Sequence, residues 1–170
     1  MQYNPNIHHR KTIRLQHYNY AAAGSYFITI CCFENQPIFG KIINGEMILN
    51  ENGKIAQQEW LNTVNKRKGI EIDEFIIMPN HMHGILNFIN ELSEFNDMIK
   101  PRFNSPKNNL GSIIRGYKSS VSSKIGLGYS VWQRNYHEHI IRNEQSYNQI
   151  EEYIICNPIF WKKDCFYIER

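Results

Sequence analysis

Residues 69–89 read GIEIDEFIIMPNHMHGILNFI. The run EFIIM is apolar enough to be buried on both faces, and it stops at Pro79-Asn80 before apolar residues resume. Proline has no N–H for a ladder, so it closes one strand, and the next strand begins at once. Two strands joined by so short a link pair antiparallel. Side chains alternate along a strand, so His81 and His83 project from one face roughly 7 Å apart, with Met82 turned the other way into packing.

The rest of the chain builds outward from this pair. SYFITICCF, from Ser25, has the β-branched and aromatic bias of a central strand. IFGKIINGEMIL is a small hairpin, because Asn44-Gly45 supplies the positive φ angles of a tight turn. From Gly53, KIAQQEWLNTV sets Ile55, Trp60 and Val64 at helical spacing. LGSIIRGYKSSVSSKIG does the same through Leu110, Ile113, Ile114, Tyr117 and Val121. SVWQRNYHEHIIR alternates as a strand, and SYNQIEEYIICNPIFW is a last helix with Tyr147, Ile150 and Ile154 on one stripe, interrupted by Pro158. The order is β, hairpin, α, β, β, α, β, α. This predicts an α+β fold, a ferredoxin-like (RRM-like) antiparallel sheet with helices packed on one face. Residues 1–24 read as a basic N-terminal arm, 25–170 as one domain, and 91–109, polar with Pro101 and Pro106, as a loop of low order.

Composition bounds the function. At 170 residues, 42% hydrophobic and 13% aromatic, the chain has enough apolar material for one folded domain. The net charge is only +3, but bases bunch in HHRKTIR, NKRK, KPR and FWKK, which suits a phosphate-bearing partner. Cys31, Cys32, Cys156 and Cys165 show no metal-finger spacing, and adjacent Cys31 and Cys32 point to opposite strand faces as packing residues. With no cleavable apolar leader and no run of membrane-span length, a soluble, cytoplasmic protein is expected.

Two imidazoles on one strand face can share a divalent metal, although the triplet alone fits two polar residues at a strand end equally well. The last helix offers further groups. Tyr153 and Asn157 in EEYIICNP lie i, i+4, roughly 5–6 Å apart on one helical face. A tyrosine hydroxyl, with a pKa near about 10, is a poor nucleophile at neutral pH and needs a base or a metal-polarised electrophile. A cation on two His and an amide oxygen would polarise a phosphate, and attack by Tyr153 would give a phosphotyrosine ester that conserves the bond for rejoining. His137 and His139 in YHEH also share a strand face, and with Glu138 could suggest a second metal site; a supporting role is the preferred reading. Arg134 and Arg142 are the expected phosphate contacts, since guanidinium binds phosphate bidentately, with Lys118 on the second helix acting likewise.

FIIMPNHMHGIL, then VWQRNYHEHIIRN, then YIICNP, in that order between Tyr26 and Trp161, resemble the REP-associated tyrosine transposases, relatives of the insertion-sequence-200 type. The resemblance implies a His-hydrophobic-His metal motif at His81 and His83, a single catalytic tyrosine at Tyr153 on a C-terminal helix, and Asn157, four positions on, as third ligand. It further implies Mg²⁺ or Mn²⁺, hairpin-bearing single-stranded DNA as substrate, a 5′-phosphotyrosine intermediate with a free 3′-OH, and His139 supporting the active site or the DNA path. Monomer and homodimer both stay open. A non-catalytic single-stranded DNA-binding protein on the same sheet is the competing reading, disfavoured because a pure binder gains nothing from a nucleophile beside a metal. A replication-initiator or relaxase relative is disfavoured by the short chain.

Overall fold

In a computed structural model of the chain, which describes residues 23–65, 67–89 and 109–169, four strands form one antiparallel sheet. These are β1 (Gly24–Cys31), β4 (Ile70–Ile77), β5 (His81–Phe88) and β6 (His137–Ile141), in the spatial order β4-β5-β1-β6. β2 (Gly40–Ile43) and β3 (Glu46–Leu49) make the separate hairpin expected at Asn44-Gly45, whose φ angles are 52° and 80°. The helices are α1 (Glu51–Asn65), α2 (Leu110–Ile125) and α3 (Glu144–Cys156). The order β1-α1-β4-β5-α2-β6, with β1 and β5 central, is the ferredoxin-like α+β layout that the sequence predicts.

Strand alternation sorts the two faces. Tyr26, Ile28 and Ile30 of β1 and Met82, Leu86 and Phe88 of β5 join Trp60 of α1 and Leu110, Ile113, Ile114, Tyr117 and Val121 of α2 in the main core. Gly84 keeps this face open for Trp60: a Cβ there would sit 3.0 Å from Trp60 Cζ2 and 3.2 Å from Phe75 Cβ. The other face carries a smaller cluster, Ile85, Ile141 and Ile154, with Phe27, Ile76, Tyr147 and Ile150 against it. The expectation of helices on one face therefore holds for α1 and α2 only; α3 lies across the opposite face, the one from which His81 and His83 project. Both faces of β5 being covered accounts for its near-continuous burial, a pattern that alternating hydropathy does not give.

β6 is shorter than the alternation of 130–142 suggests. Before His137 the chain makes a single bridge, Cys32 to Trp132, and Gln133 N donates to Cys31 O at 2.9 Å. The carbonyls of Gln133, Arg134 and Asn135 instead turn to the Lys118 ammonium, so they cannot continue a ladder. Asn109 caps α2 through Ser112 N, and Gly126, at φ 63°, ends it. The expected basic arm, apart from its last two residues, and the loop from 91 to 108 lie outside the described residues. Among the described residues no helix is long and apolar enough to cross a membrane.

α1 and α2 are tied by a buried carboxylate. Glu59, 3% exposed, accepts from Lys124 Nζ at 2.5 Å, from Asn62 Nδ2 at 3.1 Å and from Ser120 Oγ. The Lys124 bond leads the causes that hold its pKa down at about 2. A depressed carboxyl contributes stability that is present above its unfolded value, near 4.5, and is lost as pH falls toward 2. Glu59→Gln should thus lower unfolding free energy by about 2 kcal/mol at pH 7. Its deficit should shrink between pH 4.5 and 2, read by urea titration at several pH values; a pH-independent deficit would mean that shape rather than charge is what Glu59 supplies.

Candidate metal and nucleophile site

β1 and β5 build the floor of the site. The register sets Thr29 beside His83, and Cys31 beside His81. Both imidazoles are buried, at 0% and 2% exposure. Burial holds the His81 pKa down at about 3 and pushes that of His83 well below its ordinary value, so both rings are neutral, the form that ligates a metal.

The ring nitrogens can be assigned from their partners. Asn80 uses its amide nitrogen on two carbonyls, Phe166 O at 2.8 Å and Asn35 O at 3.1 Å, which leaves its Oδ1 facing His81 Nδ1 at 2.8 Å. An amide oxygen only accepts, so His81 Nδ1 carries the hydrogen and Nε2 is a bare lone pair. That lone pair points at His83 Nε2, 3.0 Å away, while His83 Nδ1 meets Thr29 Oγ1 at 2.8 Å. The hydroxyl can accept as readily as donate, so His83 can place its hydrogen on either nitrogen. With the hydrogen on Nδ1, two imidazole lone pairs converge on one point, an arrangement that a cation between them satisfies. Asn80 thus fixes the tautomer of the first histidine of PNHMH. Asn80→Ala should weaken Mn²⁺ affinity about 10–100-fold with both histidines still present, measured by calorimetric titration; unchanged affinity would remove Asn80 from the site.

α3 supplies the opposing wall. Its N-cap, Asn143, accepts from Ser146 N at 2.8 Å, and Tyr147 OH accepts from Asn87 Nδ2 at 3.1 Å while donating to Asp73, which pins the helix to β4 and β5. Six residues on, Tyr153 puts its hydroxyl 3.2 Å from His83 Nε2 and 3.3 Å from Asp164 Oδ2. Phe27 stacks on His83 at 5.2 Å and meets the Tyr153 ring edge-on at 6.1 Å. Asn157, 3% exposed, donates from Nδ2 to Asp164 Oδ2 at 2.9 Å, and its Oδ1 is buried without a hydrogen-bond partner among the described residues.

Asp164 was not legible in the sequence. It reaches the site from the turn after α3, held by Phe166 N donating to Oδ1 at 2.7 Å. Its carboxylate and the two histidines offer ligand atoms within 4.8 Å of one another. Phe166 covers His81 at 4.6 Å between centroids, so the segment after α3 forms the site's lid side. Burial, followed by the Asp164 charge, raises the Tyr153 pKa to about 12. The phenol is therefore protonated at rest.

The expected phosphate contacts are more dispersed. Arg134 and Arg142 are exposed on either side of β6. His139 is exposed beside Phe27 on the histidine face of the sheet. Lys118 directs its ammonium at three carbonyls, with Arg134 O at 3.3 Å and Asn135 O at 3.2 Å, and burial lowers its pKa to about 8. His137 is level with His83 across Thr29, yet exposed and outside the described metal cluster.

The fold that carries these residues is shared with a solved tyrosine transposase. A REP-associated tyrosine transposase, bound to a REP hairpin in its own structure, superposes with a TM-score of 0.61 over 88% of this chain and 73% of that one, at 20% identity. The chain belongs to one family with an uncharacterized protein of Haemophilus influenzae, 45% identical over 99% of this chain and 98% of the relative. A REP-associated tyrosine transposase of Escherichia coli K12 is 29% identical over 56% of this chain, which spans about half (48%) of that relative. No family model matches.

Proposed function

We propose that this protein is a REP-associated tyrosine transposase that cuts and rejoins hairpin-bearing single-stranded DNA. The observation that carries this reading is the convergence of the Tyr153 hydroxyl, two neutral imidazoles and the Asp164 carboxylate, with Asn157 bonded to that carboxylate and its own buried Oδ1 left without a partner among the described residues. His81 Nε2, His83 Nε2, Asn157 Oδ1 and the Asp164 carboxylate would hold a divalent ion, Mg²⁺ or Mn²⁺. Two imidazoles favour Mn²⁺ among hard ions, while abundance favours Mg²⁺. When bound, the metal polarises a phosphate oxygen and orients the scissile bond.

Tyr153 Oη attacks the phosphorus, the P–O3′ bond breaks, and the 3′ oxygen leaves as a hydroxyl once protonated. The phenol proton has Asp164 Oδ2, 3.3 Å away, to receive it. Rejoining reverses these steps with another 3′-OH. Arg134, Arg142 and His139, exposed on or beside the same edge, would contact the strand's phosphates. Lys118 would act through its charge and through the loop whose carbonyls it gathers. The distant transposase relative and the shared fold support an enzyme of this kind over a DNA-binding protein without chemistry.

Incubating the protein with Mn²⁺ and labelled, hairpin-bearing single strands from the gene's own flanks should give a protein–DNA adduct that survives denaturation. Binding should weaken steeply with salt, because Lys and Arg release counterions from phosphates. Hairpin binding without an adduct under any divalent ion would favour the non-catalytic reading.

A further inference from the structure

A cavity of about 400 Å³ opens from the proposed site: Tyr153, Asn157 and Asp164 line its inner side, and the rest of its lining has no part in the chemistry above. Tyr153 forms one wall, and Phe160, Lys163, Gln149, Glu152 and Cys165 form others. Whatever enters it abuts the ring that carries the attacking oxygen. Phe160 is 54% exposed and belongs to neither hydrophobic cluster, so packing does not explain it. Lys163 Nζ stands 5.8 Å from the Phe160 ring centroid. Gln149 stands four residues before Tyr153 and three before Glu152, so it shares a helical face with each, and all three line the cavity.

We propose that this cavity is a base-binding subsite that takes the nucleotide next to the scissile phosphate. The volume accepts one nucleobase with room for its sugar. An exposed aromatic face offers stacking to any base, and the adjacent ammonium offers charge to the flanking phosphate. Gln149 and Glu152 add edge contacts: a glutamine amide matches the adenine edge and a carboxylate accepts from the cytosine amino group. Stacking thus holds the base while α3 reads it, one helical turn from the hydroxyl that cuts. The inference rests on the strand-transfer reading for the identity of the strand, and its test does not require cleavage.

The probe is a hairpin-bearing single strand from the gene's flanks with 2-aminopurine at successive unpaired positions, bound to Tyr153→Phe protein so that no turnover intervenes. One position should be quenched on binding. Phe160→Ala in the same background should restore its fluorescence and weaken binding about ten-fold, while Phe160→Tyr keeps the quench. Lys163→Ala should weaken binding without restoring fluorescence. Quenching indifferent to Phe160 at every position overturns the subsite even where the parent forms the adduct. Phe160-dependent quenching with no adduct from the parent retains the subsite and rejects strand transfer. A self-association equilibrium that Phe160→Ala abolishes, with quenching unchanged, would assign the face to a second copy of the chain and also overturn it.

Discussion

Tyr153→Phe should abolish the covalent adduct completely while leaving DNA affinity within about two-fold of the parent. The substitution removes one oxygen and keeps the ring, so the edge-on contact with Phe27 and the His83 contact at 5.2 Å survive. Tyr153 is 43% exposed and its hydroxyl's two bonds are long, at 3.2 and 3.3 Å, so the stability cost should stay below about 1 kcal/mol. Neither of the two tyrosines that most closely precede Tyr153 in the sequence is placed to take over. Tyr147 is engaged with Asp73 and Asn87 nearer the start of α3. Tyr136 packs against the core on the far side of the sheet. With neither Tyr147 nor Tyr136 facing the site, the loss should be absolute rather than graded. A denaturing gel with both proteins decides it: an equal adduct from Tyr153→Phe would move the nucleophile elsewhere and dissolve the proposed site.

The legible parts of this molecule were those with a short period. A two-residue alternation set His81 and His83 on one face, and a four-residue step set Tyr153 and Asn157 on one face. Each pair is internal to one element. That the two faces meet depends on which side of the sheet α3 crosses, and the stripe Tyr147, Ile150, Ile154 says only that some apolar surface is opposite. Asp164 is eleven residues from Tyr153, in a turn with no periodicity, so its arrival beside His83 has no local signature. Asn80 was visible, but as a turn residue. Its second role, fixing the hydrogen on His81, follows from carbonyls at Asn35 and Phe166 that only the fold delivers. Lys118 makes the same point about charge: composition counted a cation, and tertiary structure turned it inward to three carbonyls.

Mn²⁺ should raise the melting temperature of the parent, and His83→Ala should erase that rise. A ligand that binds only the folded state stabilises by RT ln(1 + [L]/Kd), about 2.7 kcal/mol at a hundred-fold excess over Kd. For a chain of this size that corresponds to about 5–10 °C. His83 is central because its Nε2 faces both His81 and Tyr153, so its removal takes away a ligand and the contact that seats the nucleophile. His83→Ala also leaves the Thr29 hydroxyl buried without that ring, which should lower the metal-free melting temperature; the comparison is thus the Mn²⁺-induced shift in each protein, not the absolute value. His81→Ala should behave alike. Asn157→Ala should reduce the shift only in part if Asp164 supplies a further oxygen, and the double substitution Asn157→Ala with Asp164→Ala should bring it close to that of His83→Ala. A shift that persists in both histidine variants would place the ion away from β5, and the phenol at about 12 would then have no polarised phosphate to attack.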